Sequence, residues 1–196
     1  MSLTAAQKTA LKTDILANTN TVLYQGVSTQ IKLVPNTSDG NQAVADWYNQ
    51  LASPAYIVWR DLPMLDVLNL ITFANMTPLD AVPTTPDLTV QVWTARSTAC
   101  QGKQFNLQNL IFGRETAPMK RTNYRAALQD ALTNIPAGAA GALVSANWVG
   151  VRDAAKFSAT NFEKLRATGS GTSGTPSDLE YEGSISGGDV HDALNS

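Results

Sequence analysis

The spacing of apolar residues predicts a chain built mainly from helices. Apolar positions three and four residues apart predict helices over residues 4–17, 41–51, 63–73, 104–112, 119–134 and 147–167. The longest stripe runs through the last of these segments, at Trp148, Val151, Ala155, Ser158, Phe162 and Leu165. We therefore expect a mainly α fold, in which a helical bundle-like domain carries minor β or extended arms and a C-terminal β-like tail.

Three segments show patterns that differ from the helical spacing. Residues 20–34 alternate apolar and polar positions around Gly26, which predicts a short hairpin or an extended arm within about 20–35. The run from Tyr56 to Trp59 fits either a buried strand or an extended connector, because periodicity does not separate the two. The alternation over residues 88–92 fits a strand, or a helix that begins at Asp87.

The predicted helix over residues 63–73 and the stretch that follows it set two further expectations. In that helix the side chains expected to face inward are Leu65, Leu68, Ile71 and Phe73. Proline punctuates residues 76–87, which predicts a loop or an ordered linker.

The composition changes abruptly after Leu165. We expect a helical body over residues 1–167, a flexible Gly/Ser/Thr linker over 168–177 and an acidic β-like tail over 178–196. A single short strand needs a partner for its backbone. The tail could therefore pair with a neighbouring subunit, fold back on its own domain or stay disordered. This organisation predicts that deleting residues 176–196 leaves a folded, soluble body.

Charge is scarce and unevenly placed. Charged residues make up 15% of the 196 positions, against roughly 25% in a typical domain. The net charge of −2 argues against a dedicated nucleic-acid-binding protein. Basic residues are concentrated between about 103 and 166, and acidic residues are concentrated in the tail. Three arrangements fit this distribution: solvated faces, a tail docked on a basic body, or a ring whose basic face lines a DNA passage.

The strand-like alternation of the tail and the charge distribution together give candidate subunit-interface residues in both regions. They are Leu179, Glu180, Tyr181, Glu182 and Ile185 of the tail and Arg121, Arg125 and Arg152 of the body.

Few residues in the sequence point to chemistry. Residues 169–174 spell G-x-G-x-x-G, but a dinucleotide site needs a strand before this motif and a helix after it. His191 is the single histidine and Cys100 the single cysteine, so one chain cannot supply an ordinary zinc site or an internal disulfide. We expect no catalytic residue, no cofactor and no metal. An enzyme that pairs carboxylates from distant elements stays open as an alternative.

The same lack of specific signals extends to targeting and membrane insertion. The N-terminal residues lack a basic stretch followed by an apolar core, so we expect no signal peptide. No stretch approaches 18 consecutive apolar residues, so we expect no membrane-spanning segment.

A series of short motifs runs along most of the chain. They are Leu3–Gln7, Val44–Asn49, Ala52–Pro54, Val58–Arg60, Gly102–Lys103, Asn123–Ala127, Glu163–Leu165, Ala167–Thr172, Tyr181–Ser186 and Asp189–Val190. In this order they resemble a family of small structural proteins of tailed bacteriophages. Against that pattern the chain carries extra residues around 20–34 and 76–96.

The resemblance implies a non-catalytic assembly protein located in the virion after synthesis in the host cytoplasm. Within that class we expect a head–tail connector or adaptor of the neck, forming a ring, suggested to be a dodecamer, under the portal. Its expected partners are its own copies, the portal and tail or neck proteins, with passive contact to DNA in a central channel and no membrane.

Two alternatives to the connector remain. The first is another structural role, as a tail-tube, tail-terminator or capsid-decorating protein. The second comes from a different class, a non-virion phage enzyme or regulator that acts in the cytosol.

Overall fold

The computed structural model of the chain describes residues 3–83 and 88–196, with the backbone alone for 88–91. Its α-helices are α1 Ala5–Ala17, α2 Ser38–Tyr48, α3 Met64–Leu70, α4 Leu88–Ile111, α5 Thr122–Leu132, α6 Trp148–Ala154, α7 Asn161–Leu165 and α8 Gly187–Leu194. Short 3-10 helices cover Ile31–Leu33, Phe73–Met76 and Ala139–Gly141.

The strands of the described residues are short and pair two by two. They are β1 Thr21–Tyr24, β2 Val27–Gln30, β3 Ile57–Trp59, β4 Leu62–Pro63, β5 Thr116–Ala117, β6 Lys156–Ser158, β7 Ala167–Thr168 and β8 Asp178–Leu179. The pairs are β1–β2, β3–β6, β4–β5 and β7–β8. The fold is therefore helix-rich but mixed α/β, and it is not a plain helical bundle.

The chain divides into two compact units. Unit 1 combines Met1–Val58 with Phe157–Ser196, and unit 2 is the continuous segment Trp59–Lys156. This division differs from the expected body over residues 1–167 with a separate linker and tail. The reason is that the C-terminal residues complete the core of unit 1.

The core of unit 1 draws side chains from both ends of the chain. Helix α1 starts with a capping box, in which Thr4 and Gln7 each accept from the other's backbone N–H. Helix α2 begins at Ser38 because the Thr37 hydroxyl accepts from the Gly40 N–H at 3.2 Å. The buried core residues are Leu3, Leu11, Ile15, Val22, Ile31, Val44, Ala45, Tyr48, Phe162, Ile185, Val190 and Ala193.

The core of unit 2 is built around α5. The predicted inward face of the helix over 119–134 is confirmed in the observed α5 and the residues after it, since Tyr124, Leu128, Ala131, Leu132 and Ile135 are all buried. The other buried residues are Trp59, Leu62, Met64, Val67, Ile71, Met76, Cys100, Leu107, Ala117, Met119, Ala137, Ala146, Trp148, Val151 and Ala155.

The long helix predicted over residues 147–167 is wrong. It is divided into α6, β6 and α7. The Thr160 hydroxyl accepts from the Glu163 N–H at 3.2 Å, and the Thr160 N–H donates to Glu163 at 2.9 Å. This capping box starts a new helix. The apolar stripe is real, but Trp148 and Val151 belong to the core of unit 2 and Phe162 belongs to the core of unit 1.

The C-terminal segment also differs from its prediction. A strand-like segment was expected over residues 179–186, but the strand covers only Asp178–Leu179 and a helix, α8, follows at Gly187–Leu194. Ser186 caps this helix, since its hydroxyl accepts from the Asp189 N–H at 3.2 Å while Asp189 accepts from the Ser186 N–H. The apolar residues Val190 and Ala193 therefore reach the core of unit 1 from a helix.

The predicted flexible linker is folded against Tyr56. The Tyr56 hydroxyl donates to the Gly169 carbonyl at 2.8 Å, and the Ile57 N–H donates to the Gly171 carbonyl at 2.7 Å. The Ser177 N–H in turn donates to the Ile57 carbonyl at 2.9 Å. Residues 169–177 are thus hydrogen-bonded to the end of β3, which explains why their composition alone misleads.

Two further predictions concern α3 and α4. Ile71 is buried and Leu68 is partly buried as expected, but Leu65 and Phe73 are 67% and 51% exposed. The segment 88–92 is helical, and the helix predicted over 104–112 is the C-terminal part of α4. Residues 84–87, including the helix start considered at Asp87, lie outside the described residues.

Candidate functional site

A β-hairpin projects two large apolar side chains from unit 1. Strands β1 and β2 pair in register, with Tyr24 opposite Val27. The two residues between them, Gln25 and Gly26, both have positive φ, as the tightest hairpin turns require. This confirms the hairpin among the alternatives for residues 20–34.

The hairpin is buried at its base and exposed to solvent at its turn. Val22 is buried in the core of unit 1, whereas Leu23 is 74% exposed and Val27 is 64% exposed. We call residues Leu23–Val27 the hairpin tip. No charged residue occurs between Asp14 and Lys32. The tip is therefore uncharged, and it exposes Leu23 on one face of the hairpin and Val27 on the other.

Unit 2 carries an apolar groove beside α4. The groove has a volume of about 310 Å³ and is lined by Phe73, Met76, Gln104, Leu107, Gln108 and Ile111. Met76 and Leu107 are buried and form its floor, while Phe73 and Gln108 are exposed at its edge. We call these six residues the apolar groove.

A hydrogen bond joins two residues of the groove lining, and two phenylalanines that are near these residues in sequence, but outside the lining, are exposed. The Gln104 side chain donates to the Met76 carbonyl at 2.7 Å, which ties α4 to the 3-10 helix Phe73–Met76. Phe105 and Phe112 of the same part of the chain are 62% and 80% exposed. Residues 104–113 contain no charged residue, and four of them are Gln or Asn.

The apolar interface candidates of the tail contact other residues of unit 1. Ile185 is 3% exposed in the core, and the Tyr181 ring packs edge-on against Phe162 with centroids 5.0 Å apart. Leu179 pairs with Ala167 in the β7–β8 sheet. Of the alternatives for this segment, the structure therefore shows the one in which it folds back on its own chain.

The two acidic candidates of the tail are exposed. The Glu180 carboxylate pairs with Arg166 of the same unit at 2.6 Å. Glu182, two residues further along the chain, is also exposed. Neither residue has the burial that would make it a fixed part of the core.

The three basic candidates lie in unit 2 in different settings. The Arg125 guanidinium donates to the carbonyls of Met119 and Lys120 at 2.6 and 2.9 Å and lies 4.4 Å from the Trp59 ring centroid. Arg125 is therefore a bracing residue for the start of α5.

The other two basic candidates are more accessible. Arg121 is exposed and lines a depression of about 510 Å³ together with Arg114 and Tyr124. Arg152 pairs with its neighbour Asp153 at 2.9 Å. Arg152 and Lys156 together hold the pKa of Asp153 down to about 2 by hydrogen bonds and opposite charge.

Cys100 and His191, the two groups considered for chemistry, lie in unit 2 and unit 1 respectively. Burial raises the pKa of the Cys100 thiol, which opposes formation of the reactive thiolate. His191 is exposed on α8, where its Nδ1 lies 3.3 Å from the Asn36 side-chain oxygen. Across residues 3–83 and 88–196, no three potential metal ligands of the His, Cys, Asp and Glu type come together.

Comparison with known proteins gives no assignment. No family model, no curated protein and no solved structure matches this chain. Within the part of the chain that the structure describes, every helix is too short or too polar to cross a membrane.

The apolar groove is the surface that the sequence pattern does not indicate, whereas the hairpin is predicted from residues 20–34. Periodicity places Phe73 on an inward face, and it places Phe105 and Phe112 among the apolar positions of the helix predicted over residues 104–112. A usable signal was the absence of charge over residues 15–31 and 104–113 in segments rich in apolar side chains.

Proposed function

We propose that this chain is a non-catalytic structural subunit of a tailed-bacteriophage particle. Within that class we propose a head–tail connector or adaptor of the neck, which forms a ring of its own copies under the portal. The phage class rests on the resemblance of the ordered motifs between Leu3 and Val190.

The observation that carries a structural role is the exposure of large apolar side chains at the hairpin tip and at the end of α4. Leu23 at the hairpin tip and Phe112, which follows Ile111 of the groove lining, are 74% and 80% exposed. Burying such side chains against another protein is favourable by roughly 1.5–3 kcal/mol for each. Concentrated apolar surface of this kind marks contact sites for other proteins.

The proposed partners follow from the same role. They are neighbouring copies of this chain, the portal, and tail or neck proteins. Exposed basic residues of unit 2, such as Arg114 and Arg121, would make passive contact with DNA phosphates in a central channel. The sequence predicts that a tethered tail contacts the neighbouring subunits. We propose instead that the hairpin of unit 1 makes this contact.

Quantitative mass spectrometry of purified particles tests this proposal. We expect the chain in the particle at about a dozen copies, measured against the portal and the major capsid protein in the same sample. Absence from the particle would overturn the structural role and favour a cytosolic enzyme or regulator. A copy number in the hundreds would overturn the connector and favour a tail-tube or capsid-decorating protein.

A genetic experiment tests the position in the neck. Without this chain, we expect DNA-filled heads and complete tails that do not join, as seen by electron microscopy of the lysate. Restoring the chain from a plasmid should restore joined particles. Normal joining in its absence would contradict the connector.

A further inference from the structure

The hairpin tip and the apolar groove have matching chemistry. Neither surface contains a charged residue, Leu23 of the tip is 74% exposed, and the groove is lined by four apolar side chains and two glutamines. Leu23 and Val27 lie on opposite faces of the narrow hairpin, so Leu23 alone is the side chain considered for the recess, whose buried apolar floor is Met76 and Leu107. One is a protrusion and the other is a recess.

The groove is large enough for the tip. A cavity of about 150 Å³ already accommodates a benzene-sized group. The groove has about twice that volume, at 310 Å³. It can take the Leu23 side chain and part of the neighbouring turn, with Phe73 and Ile111 as walls.

The charges of the two units favour contact between copies. Unit 1 contains five Lys and Arg residues and nine Asp and Glu residues. Unit 2 contains nine Lys and Arg residues and seven Asp and Glu residues. Unit 1 is therefore net −4 and unit 2 net +2. A contact of unit 1 of one copy with unit 2 of the next therefore brings together two units of opposite net charge.

We propose that copies of this chain associate head to tail, with the hairpin tip of one copy seated in the apolar groove of the next. The occupant of the groove is thus a second copy of this chain. Since the two surfaces of the contact differ, the arrangement is heterologous, which generates a ring when the rotation closes. The biological use as a connector ring rests on the proposed function, but the contact itself is a property of the purified protein.

Two exposed residues provide variants that leave the cores intact. Leu23→Asp places a charge on the tip, and Phe73→Asp places a charge in the groove wall. Leu51→Asp and Leu143→Asp are matched controls, because these leucines are 64% and 65% exposed but lie outside both surfaces. Circular dichroism should show all four variants folded like the wild type.

Sedimentation velocity of each protein, alone and in mixtures, tests the proposal. We expect the wild type and both controls to form oligomers at tens of micromolar. Leu23→Asp and Phe73→Asp should each be monomeric, with self-association weakened at least about tenfold, as expected for a central apolar contact.

The equimolar mixture of the two variants is the decisive measurement. The Leu23→Asp copy keeps its groove and the Phe73→Asp copy keeps its tip, so one intact contact forms between them. We expect a 1:1 heterodimer and nothing larger. A monomeric wild type, oligomers of either tip or groove variant, or a mixture that stays monomeric would each overturn the proposal.

The outcome is separable from that of the proposed function. Head-to-tail association in solution with absence from particles would overturn the phage role alone. Presence in particles at a dozen copies with a failed mixing experiment would overturn the tip-in-groove contact alone.

Discussion

The two units of this protein differ in how the chain builds their cores. Unit 2 folds from the continuous segment Trp59–Lys156, and α5 lies at its centre. Unit 1 joins the N-terminal 58 residues to the last forty, and its core needs α7 and α8 to be complete. A contiguous unit closes its core over shorter loops, and a divided unit depends on a distant segment returning.

The difference teaches that a tail in the sequence can be a core element in the structure. Val190 and Ala193 are fully buried in unit 1 although they stand within seven residues of the C-terminus. Unit 2 has no such dependence on either end of the chain. The two units should therefore respond differently to changes at the C-terminus and within each core.

Deletion of residues 176–196 should have the largest effect and should separate the units. It removes Ile185, Val190 and Ala193 from the core of unit 1. We expect unit 1 to lose its fold and unit 2 to keep it, in contrast to the folded body that the sequence predicts. Hydrogen exchange should show lost protection over α1 and α2 and retained protection over α5.

A shorter deletion is the control for that experiment. Removing residues 195–196 leaves α8 whole and should leave protection in α1 and α2 nearly unchanged. Unchanged protection after the long deletion would instead mean that the tail is dispensable for the core.

Alanine substitutions at two fully buried positions should lower the stability of one unit each. Phe162→Ala in unit 1 should cost about 3–5 kcal/mol, and Leu128→Ala in unit 2 about 2–5 kcal/mol, since both side chains are 0% exposed. Hydrogen exchange measured at increasing denaturant concentration should show in which unit each variant loses stability. Equal loss in both units from either variant would show that they unfold together.

Alanine substitutions at two glycines of residues 169–177 should lower the stability of unit 1 by a smaller amount, and to different extents. Gly171 has φ +63°, and a Cβ there would lie 2.2 Å from the Tyr56 ring. We expect Gly171→Ala to cost about 1–3 kcal/mol by overpacking. Gly174→Ala, where the nearest atom is 3.9 Å away, should change stability by less than about 0.5 kcal/mol. Equal melting temperatures for the two variants would contradict the packing of this segment on Tyr56.

Alkaline pH should weaken unit 1 through Tyr48. Burial first, and then its hydrogen bond to Asp14, hold the pKa of Tyr48 well above its usual value. The unfolded chain ionises this tyrosine near pH 10 and the folded chain does not. The protonated Tyr48 hydroxyl therefore contributes fully to the free energy of unfolding below pH 10. Above pH 10 this contribution falls by up to about 1.4 kcal/mol per pH unit.

Tyr48→Phe should remove this part of the alkaline loss, as measured by urea unfolding at pH 9 and pH 11. Tyr24→Phe on the hairpin is the matched control and should keep the loss. An identical alkaline loss in wild type and Tyr48→Phe would show that the Tyr48 hydroxyl does not carry it.

Several elements could be predicted because their signals are local. The hairpin follows from alternation around Gly26, and the inward face of α5 follows from the spacing of Tyr124, Leu128 and Leu132. The cap of α8 also had a local signal, in Ser186 and Asp189, but the Gly-rich context concealed it. The surfaces of the candidate site were partly visible as uncharged, apolar segments.

The sequence by itself determined where helices and turns can start, because caps, glycines and apolar spacing act within a few residues. Only the tertiary structure decided which core each apolar side chain joins. The stripe from Trp148 to Phe162 shows the reason, since one periodic pattern serves two cores separated by β6. Likewise, Phe112 belongs to the apolar pattern of the helix predicted over residues 104–112, but it is 80% exposed because no described element packs over it. Burial depends on what the rest of the chain brings to a face, and no local pattern contains that information.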